Sequence, residues 1–278
     1  MTKFSRSWLI EKKEIAIQLL AEQVPELSKS RLKDAMAKGA VWLQQGKKQK
    51  RLRRAQAELL PGQTLALHYD AAILQREVAG SQLLLDRRAY SVWWKPAGML
   101  SQGSLWGDHL SLLRQAEQQT KRAVHLIHRL DREASGLLLL AHDARAAAHL
   151  SQQFQNGQVE KLYHVAVQGQ LSEALQYAAE LATPLDGKAC VTRFRLLKQL
   201  EHPDISWLQV NLLTGRKHQI RRHFSLVGHP VLGDPRYGNS STAAATLALQ
   251  AVSLGWQCPL SGQPMQHQLP ESLRLLQD

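Results

Sequence analysis

The chain has 278 residues, of which 44% are hydrophobic and 21% charged, a composition that excludes a disordered protein and is typical of a globular one. Lys and Arg number 35 against 23 Asp and Glu, and residues 1–60 alone contain 14 of these basic side chains and 6 of the acidic ones. A basic excess concentrated in this way attracts polyanions, so the charge favours a nucleic-acid partner over a merely solubilising surface.

Several classes of protein are excluded by what the sequence lacks. Its two cysteines, Cys190 and Cys258, are too few for a disulfide framework or a cysteine metal site, and its twelve histidines show no HExxH or similar spacing. No stretch approaches the roughly 18 apolar residues that a membrane span needs. The charged N-terminal segment lacks the apolar core of a signal peptide. We therefore expect a cytoplasmic protein that does not enter the membrane.

Residues 1–70 are predicted to form a small domain that begins with two helices. Apolar side chains at helical spacing between positions 10 and 20 indicate the first helix, and Ser28 or Ser30 is a suitable N-cap for the second. Gly39 would end that helix. A short strand follows, then the basic run 47–54 and a closing apolar strand at residues 64–69.

This order of helices, strands and a basic turn resembles the S4 RNA-binding domain, and the matching strings are residues 25–41 and 61–65. In S4 domains the second helix and the following turn lie on the RNA, so the resemblance implies a set of phosphate contacts. These candidates are Ser28, Lys29, Arg31, Lys33, Lys47, Lys48, Arg51, Arg53 and Arg54. A solvated helix face is the alternative interpretation of the same side chains.

Residues 71–88 are predicted to be a linker, after which glycine-interrupted β segments dominate. Two helices are expected in this part, one at residues 145–156 with Asp143 as its cap and one at residues 219–227. The densest polar segment, residues 125–136, precedes an apolar stretch that is typical of a buried strand.

Asp131 lies in this polar segment, and by itself such an aspartate is more often a turn former than a catalyst. However, His128-Arg129-Leu130-Asp131, followed by Ser135-Gly136 and four leucines, resembles the catalytic motif of the RluA family of pseudouridine synthases. Further matches follow in the family's order and extend the resemblance over residues 92–238. They are residues 95–99, 161–169, 184–192, 214–223 and 228–238.

The resemblance implies an α+β protein, with a small S4-like αα/β domain at residues 1–70 and a pseudouridine synthase catalytic domain at residues 89–278. The second domain would contain a largely antiparallel mixed sheet with flanking helices. The implied reaction breaks the N1–C1′ bond of uridine, rotates the base and joins C5 to C1′. Because both parts of the substrate stay bound, neither a metal nor a cofactor is expected, in agreement with the absence of a Rossmann glycine string or P-loop.

The resemblance also implies roles for individual residues. Asp131 would either attack C1′ or act as a base on the ribose, and the sequence leaves both routes open. Arg216 would keep this carboxylate ionised, with a phosphate contact as its alternative. Tyr163 would stack on the flipped uracil, unless it is an ordinary core residue. Arg129 would fill the vacated space in the RNA, the alternative being a salt bridge to Asp131 or Glu133. The remaining phosphate-contact candidates are Lys217, Arg221 and Arg222.

The match to the family has two departures, Ala134 in place of a usual Thr and Trp94 in place of Asn or Asp, and residues 101–120 match it poorly. His128 is expected to bond the loop backbone rather than to carry a proton. One alternative function is a non-catalytic RNA-binding protein. Another is a glycoside hydrolase, which would need a second carboxylate, and no paired acidic motif is evident. We expect a monomer that acts on ribosomal RNA, as S4-bearing members of the family commonly do, with transfer RNA as the alternative.

Overall fold

The computed structural model describes residues 2–238 and 246–276 of the chain. The described chain forms two compact units. The first ends at Val78 and also includes Gln102–Gln119, whereas the second comprises Ala79–Ser101 and the chain from Thr120 onward. The predicted boundary at residue 70 is therefore too early, and the predicted linker 71–88 is divided between the two units. The segment that matched the family poorly belongs with the N-terminal unit.

The first unit is built on a four-stranded antiparallel sheet with the strand order β1-β6-β3-β4, and a separate pair is formed by β2 and β5. Its strands are β1 (Lys3–Leu9), β2 (Glu14–Ile15), β3 (Val41–Gln45), β4 (Lys48–Arg51), β5 (Glu58–Leu59) and β6 (Thr64–Asp70). Its helices are α1 (Ala16–Gln23), α2 (Lys29–Ala37), α3 (Ala71–Leu74) and α4 (Leu112–Thr120).

The predicted pair of helices is confirmed, but the first begins later than expected. Residues 10–15 precede α1, and the seven residues of β1 form a strand that we did not predict, because polar and apolar side chains there alternate only weakly. Ser28 is the N-cap of α2, where its side chain accepts a hydrogen bond from the Arg31 backbone N–H at 3.4 Å. Gly39 follows α2 with φ +80°, a left-handed conformation that favours glycine.

Residues 102–119 pack within the first unit through both backbone and side-chain contacts. The indole N–H of Trp42 on β3 donates to the Leu105 carbonyl oxygen at 3.0 Å. The Asp108 backbone N–H donates to the Lys38 carbonyl oxygen, also at 3.0 Å. These contacts join the segment to β3 and to the end of α2.

The second unit contains one large sheet, in the order β12-β13-β14-β11-β15-β10-β8-β7, with β16 paired to β15 and β9 to β10. Its strands are β7 (Gln82–Asp86), β8 (Tyr90–Lys95), β9 (His125–Leu126), β10 (Ser135–Ala141), β11 (Glu160–Gln168), β12 (Glu180–Leu181), β13 (Thr192–Leu200), β14 (Ile205–Leu212), β15 (Leu249–Gln257) and β16 (Pro264–Gln268). Its helices are α5 (Ala144–Gln155), α6 (Glu173–Ala178) and α7 (Gln219–Leu226), followed by a 3₁₀ turn at Glu271–Leu273.

The β10–β15 pair is parallel and the other pairings in this sheet are antiparallel, so the predicted α+β class with a largely antiparallel mixed sheet is confirmed. Both predicted helices are present, and Asp143 caps α5 by accepting from the Ala146 backbone N–H at 2.8 Å. Within the described residues, no helix is both long and apolar enough to cross a membrane.

The parallel pair brings the polar loop before β10 into the middle of the sheet. All seven residues of β10 are buried, as expected from its apolar sequence. A Cβ atom at Gly136 would lie 2.3 Å from the Ala251 carbonyl oxygen, and φ there is +116°, so only glycine permits this approach of β10 to β15. The loop that carries Asp131 is thereby placed close to β15 and its neighbour β11.

Candidate active site

A cavity of about 640 Å³ lies in the second unit, and it is lined by residues from widely separated parts of the sequence. The loop between β9 and β10 contributes Arg129 and Asp131, strand β11 contributes Tyr163, and the loop before α7 contributes Arg216. The four residues that the sequence predicted for catalysis and base flipping therefore line one cavity.

Asp131 is paired with Arg221 rather than with Arg216. The Arg221 Nη1 atom donates to Asp131 Oδ2 at 3.0 Å, and the Arg221 side chain is only 2% exposed. Arg216 is exposed in the loop before α7, where its Nη2 atom lies 3.4 Å from the Ala189 carbonyl oxygen. The prediction that Arg216 holds Asp131 is therefore wrong. The prediction that Arg221 contacts phosphate is also wrong, because a buried guanidinium cannot reach the RNA backbone.

Asp234 holds Arg221 in place from the opposite side. The Arg221 Nε and Nη2 atoms each donate to an Asp234 oxygen at 2.7 Å, and the Asp234 side chain is fully buried. This bidentate contact leaves Nη1 to bind Asp131. Burial acts to raise the pKa of Asp234, but hydrogen bonds from Arg221 and from the Arg236 and Tyr237 backbone N–H groups outweigh it and lower the pKa overall. Arg221 thus bridges one buried and one partly exposed carboxylate.

His218 is the second neighbour of Asp131, with its Nε2 atom 3.6 Å from Asp131 Oδ1. Its Nδ1 atom lies 3.0 Å from the Tyr237 hydroxyl oxygen. Burial, with further contributions from Arg221 and other nearby cations, lowers the pKa of His218 despite the opposing effect of Asp131. The imidazole is therefore mainly neutral at neutral pH, and Arg221 is the cation that balances the Asp131 carboxylate.

Tyr163 lies on β11, opposite Val210 of β14 and Ala251 of β15, and is 8% exposed. Burial, together with the negative charge of Asp131, raises the pKa of Tyr163 well above its ordinary value, so the phenol stays protonated. Its place in the cavity wall presents an aromatic surface beside the carboxylate.

Arg129 is exposed where it lines the cavity, and among the described residues it forms no ion pair with Asp131 or Glu133. Glu133 pairs instead with Arg132 at 2.8 Å and lies 3.7 Å from Arg221 Nη1. Burial acts to raise the pKa of Glu133, but hydrogen bonds from its own backbone N–H and from Arg132 lower it overall. Glu133 therefore lacks the raised pKa that a glycosidase proton donor needs.

Two further residues hold the loop that carries Asp131. His128 accepts a hydrogen bond from the Leu139 backbone N–H at 3.0 Å, and burial, with a smaller effect from Lys161, lowers its pKa to about 3. The backbone bond predicted for His128 is thus made to strand β10 rather than within its own loop, because Leu139 lies on β10. That His128 is not a proton carrier stays a prediction. Ser101 bonds the Leu130 backbone on both sides, accepting at 3.1 Å and donating at 2.8 Å.

Gln219 fixes the loop between β14 and α7. Its side-chain oxygen accepts from the Thr214 hydroxyl at 2.8 Å and from the Arg216 backbone N–H at 3.0 Å, while its amide donates to the Val191 carbonyl oxygen at 3.1 Å. No role was predicted from the sequence for Gln219, His218 or Asp234. Of the missed features, only the burial of Arg221 could have been predicted from the sequence, because Arg221 lies three residues before Phe224 on the buried face of α7.

The candidate RNA contacts divide into exposed and bound side chains. Seven candidates of the first unit are exposed, and these are Ser28, Lys29, Arg31, Lys33, Lys47, Lys48 and Arg54. Arg51 and Arg53 are instead bound to Asp108, with Arg51 Nε at 3.1 Å from the carboxylate. Since these two guanidinium groups hold the 102–119 segment, their predicted role as phosphate contacts is wrong.

In the second unit, Lys217 is exposed beside the cavity. Arg222 lies on the outer side of α7 and forms a bidentate pair with Asp186 at 2.8 and 3.0 Å. This pair is near the surface, because the Asp186 side chain is 72% exposed. Lys217 is therefore exposed to solvent, unlike the buried Arg221.

Taken together, the fold and the site define an enzyme: an aspartate paired with a buried arginine lies beside a tyrosine, in a cavity large enough for a nucleoside. The model of the RNA pseudouridylate synthase family matches residues 89–226, which include Asp131, Tyr163 and Arg221. The chain belongs to the RNA pseudouridylate synthase family, as the sequence motifs predicted. The S4-like region lies outside this match.

Curated relatives and solved structures agree with the assignment. A tRNA pseudouridine synthase C of Pectobacterium carotovorum subsp. carotovorum is 35% identical over 62% of this chain and 54% of its own length. A ribosomal large subunit pseudouridine synthase C of Vibrio parahaemolyticus is 32% identical over 65% and 62%. A tRNA pseudouridine synthase C of Yersinia pestis is 32% identical over 62% and 79%. The chain thus spans little more than half the length of the first of these relatives.

The similarity extends to the fold. The structure of human RNA pseudouridylate synthase domain containing 1 superimposes with a TM-score of 0.58 at 23% identity, covering 69% of this chain and 83% of that one. At this identity the likeness establishes the shared fold.

Proposed function

We propose that this protein converts specific uridines of structured RNA to pseudouridine, with Asp131 as the catalytic carboxylate. The observation that carries the proposal is the Asp131–Arg221 pair, which places a partly exposed carboxylate beside a buried cation at the wall of a cavity that also contains Tyr163. An ionised carboxylate can attack C1′ or remove a ribose proton, and both routes remain open.

The target uridine must leave its base stack before Asp131 can reach C1′, so the proposal includes base flipping. Arg129 is exposed at the cavity and would occupy the space that the uridine leaves. Tyr163 would stack on the flipped uracil, since an aromatic face recognises a base without demanding particular hydrogen bonds. Arg216 and Lys217, both exposed, would contact the phosphates on either side.

The N-terminal unit is proposed to bind RNA as an S4-like domain. Exposed cations of α2 and of the β3–β4 turn supply the positive charge for this role. The relatives named above include enzymes for transfer RNA and for ribosomal RNA, and both remain candidate substrates. A cytoplasmic location and a monomeric state are part of the proposal.

The test is release of tritium from total cellular RNA labelled with 5-³H-uridine, taken from cells that lack the gene. Wild-type protein should release tritium, because C5 loses its hydrogen when it joins C1′. Asp131→Asn, which is nearly the same shape but uncharged, should lower the rate by roughly 10³-fold or more, as expected for a group that reacts directly. Wild-type protein that binds this RNA but releases no tritium would instead support a binding-only function.

A further inference from the structure

Two lysines of the second unit are buried, and their surroundings differ sharply. Lys95 is 0% exposed, and its ammonium donates to the carbonyl oxygens of Met99 and Ala134 at 2.8 and 2.7 Å and to two further carbonyls. Lys161 on β11 is 8% exposed, yet among the described residues no carboxylate or hydrogen-bond acceptor is paired with it. Lys95 is therefore explained by the fold, whereas Lys161 is not.

A buried cation without a protein acceptor is costly, because burial of its side chain removes part of its water without supplying a carboxylate or carbonyl in exchange. The acids nearest to the site are already engaged, Asp131 by Arg221 and Glu133 by Arg132. Burial lowers the pKa of Lys161, and no carboxylate opposes this effect. An arrangement of this kind is expected where the missing acceptor arrives with a ligand.

Lys161 lines the same cavity as Asp131 and Tyr163. Because successive side chains of a strand point to opposite faces, Lys161 and Tyr163, two residues apart on β11, share one face. The tyrosine would cover the flipped base, so the ammonium lies next to the position expected for the uracil ring. Phe154 and Leu212 also line this cavity.

The ligand chemistry follows from the depth at which each cation lies. Arg129, Arg216 and Lys217 line the cavity and are exposed, so a backbone phosphate that binds to them can stay in contact with water. Lys161 and Arg221 are the buried cations among the residues that line this cavity, and Arg221 is already paired with Asp131 and Asp234. The base is the part of the nucleotide that enters farthest. Resting on the proposed function, we propose that Lys161 is a catalytic residue that hydrogen-bonds a carbonyl oxygen of the uracil and stabilises the negative charge that the detached base carries.

The movement of electrons during the reaction explains why this contact would increase the rate. The N1–C1′ bond breaks and its electron pair leaves on the uracil, while C1′ accepts an electron pair either from an Asp131 oxygen or from the C2′–H bond as that proton departs. C5 then bonds to C1′, either as the Asp131–C1′ bond breaks and returns its electron pair to the carboxylate or as C2′ regains its proton. The C5 proton is lost to water and N1 takes up a proton. Lys161 keeps its own protons throughout and acts through its charge, a preorganised stabilisation typically worth about 10²–10³ in rate.

The test compares Lys161→Met with wild type in the tritium-release assay on the 5-³H-uridine RNA described above, with RNA affinity measured on the same RNA by filter binding. We expect kcat to fall by about 100-fold while the Kd for RNA changes by less than about 3-fold, the pattern of an interaction made in the transition state. The thermal midpoint of the free variant should equal or exceed that of wild type, because an unpartnered buried charge has been removed. Lys95→Met, the matched control, should lower the midpoint.

Each other outcome overturns the proposal. A higher KM with unchanged kcat would mean that Lys161 contacts a backbone phosphate instead of the base. A lower thermal midpoint for Lys161→Met, similar to that of Lys95→Met, would mean that the lysine is structural. If wild-type protein releases tritium and Lys161→Met is fully active, the inference about Lys161 is wrong while the proposed function stands. Wild-type protein that releases no tritium removes the proposed function, and the inference with it.

Discussion

Two ion clusters, one in each unit, are built from the same residue types in opposite proportions. In the second unit one arginine, Arg221, lies between two carboxylates, Asp131 and Asp234. In the first unit one carboxylate, Asp108, lies between two arginines, Arg51 and Arg53. All three arginines were predicted from the sequence to contact RNA phosphates.

The difference between the clusters lies in which group remains accessible. Asp234 occupies two nitrogens of Arg221, so the third can hold Asp131, which is 25% exposed and lines a cavity. Asp108 is 12% exposed, and its two arginines also donate to backbone carbonyls of their own unit. An arginine between two carboxylates can present one of them to a substrate. A carboxylate between two arginines joins segments of chain.

The largest effect is expected for Arg221→Gln. The change leaves Asp131 without its cation and the buried Asp234 without its ion-pair partner, so we expect tritium release to fall by about 10³-fold or more. Arg221→Lys keeps the charge but cannot bridge two carboxylates with a planar fork, and it should also lose at least about 100-fold. Circular dichroism of both variants would establish that they fold.

Arg216→Gln is the control for this comparison. Arg216 lies in the same segment and lines the same cavity but does not contact Asp131, so kcat should stay within about 3-fold and any effect should appear in KM. A loss of kcat for Arg216→Gln equal to that for Arg221→Gln would restore the original assignment of Arg216 as the partner.

The site was predictable as a set of segments but not as a set of contacts. The motifs placed Asp131 and Tyr163 in one cavity, because a match in the family's order carries the three-dimensional arrangement with it. The partner of Asp131 was missed because Arg216 and Arg221 are only five residues apart in the same motif, one in the loop before α7 and one on the helix. Which of them faces inward depends on where α7 begins, at Gln219.

The fold was predictable where local patterns decide it. The Ser28 cap, the Asp143 cap and the apolar run of β10 each depend on a few neighbouring residues, and all were found. The return of residues 102–119 to the first unit was not, because it depends on Asp108 meeting two arginines more than fifty residues earlier in the chain. No periodicity within residues 102–119 indicates the contact between Asp108 and these arginines.

Asp234→Asn tests whether the second carboxylate positions Arg221. An amide can accept one hydrogen bond from the guanidinium but carries no charge, so Arg221 should be held less firmly and kcat should fall by about 10–100-fold with little change in KM. Asp186→Asn, which breaks the exposed bidentate pair with Arg222 on the same helix, is the matched control and should leave kcat unchanged. Equal effects of the two substitutions would contradict a positioning role for Asp234.

Asp234→Asn should also destabilise the protein, because it removes one charge of a buried ion pair, and the pH dependence of this stability loss provides a second test. Arg221 and two backbone N–H groups hold the pKa of Asp234 below its ordinary value, against the effect of burial. A carboxylate with a lowered folded-state pKa stabilises the protein fully above its unfolded pKa of about 4, and that contribution disappears as the pH falls through the folded value. The difference in unfolding free energy between wild type and variant should therefore be constant from about pH 6 to 8 and shrink below about pH 4.

The smallest effect on catalysis, and a clear one on stability, is expected for Asp108→Asn. Breaking a buried ion pair by removing one partner leaves uncompensated charge, so the first unit should lose about 2–3 kcal/mol of unfolding free energy. Hydrogen exchange should rise in peptides covering residues 39–53 and 102–110. Glu58→Gln removes an exposed pair with Lys13 in the same unit and should cost less than about 0.5 kcal/mol. Asp108 does not line the cavity, so kcat should stay within about 3-fold of wild type at temperatures where the variant is folded. A fall in kcat as large as that of Asp234→Asn would mean that both ion clusters serve catalysis.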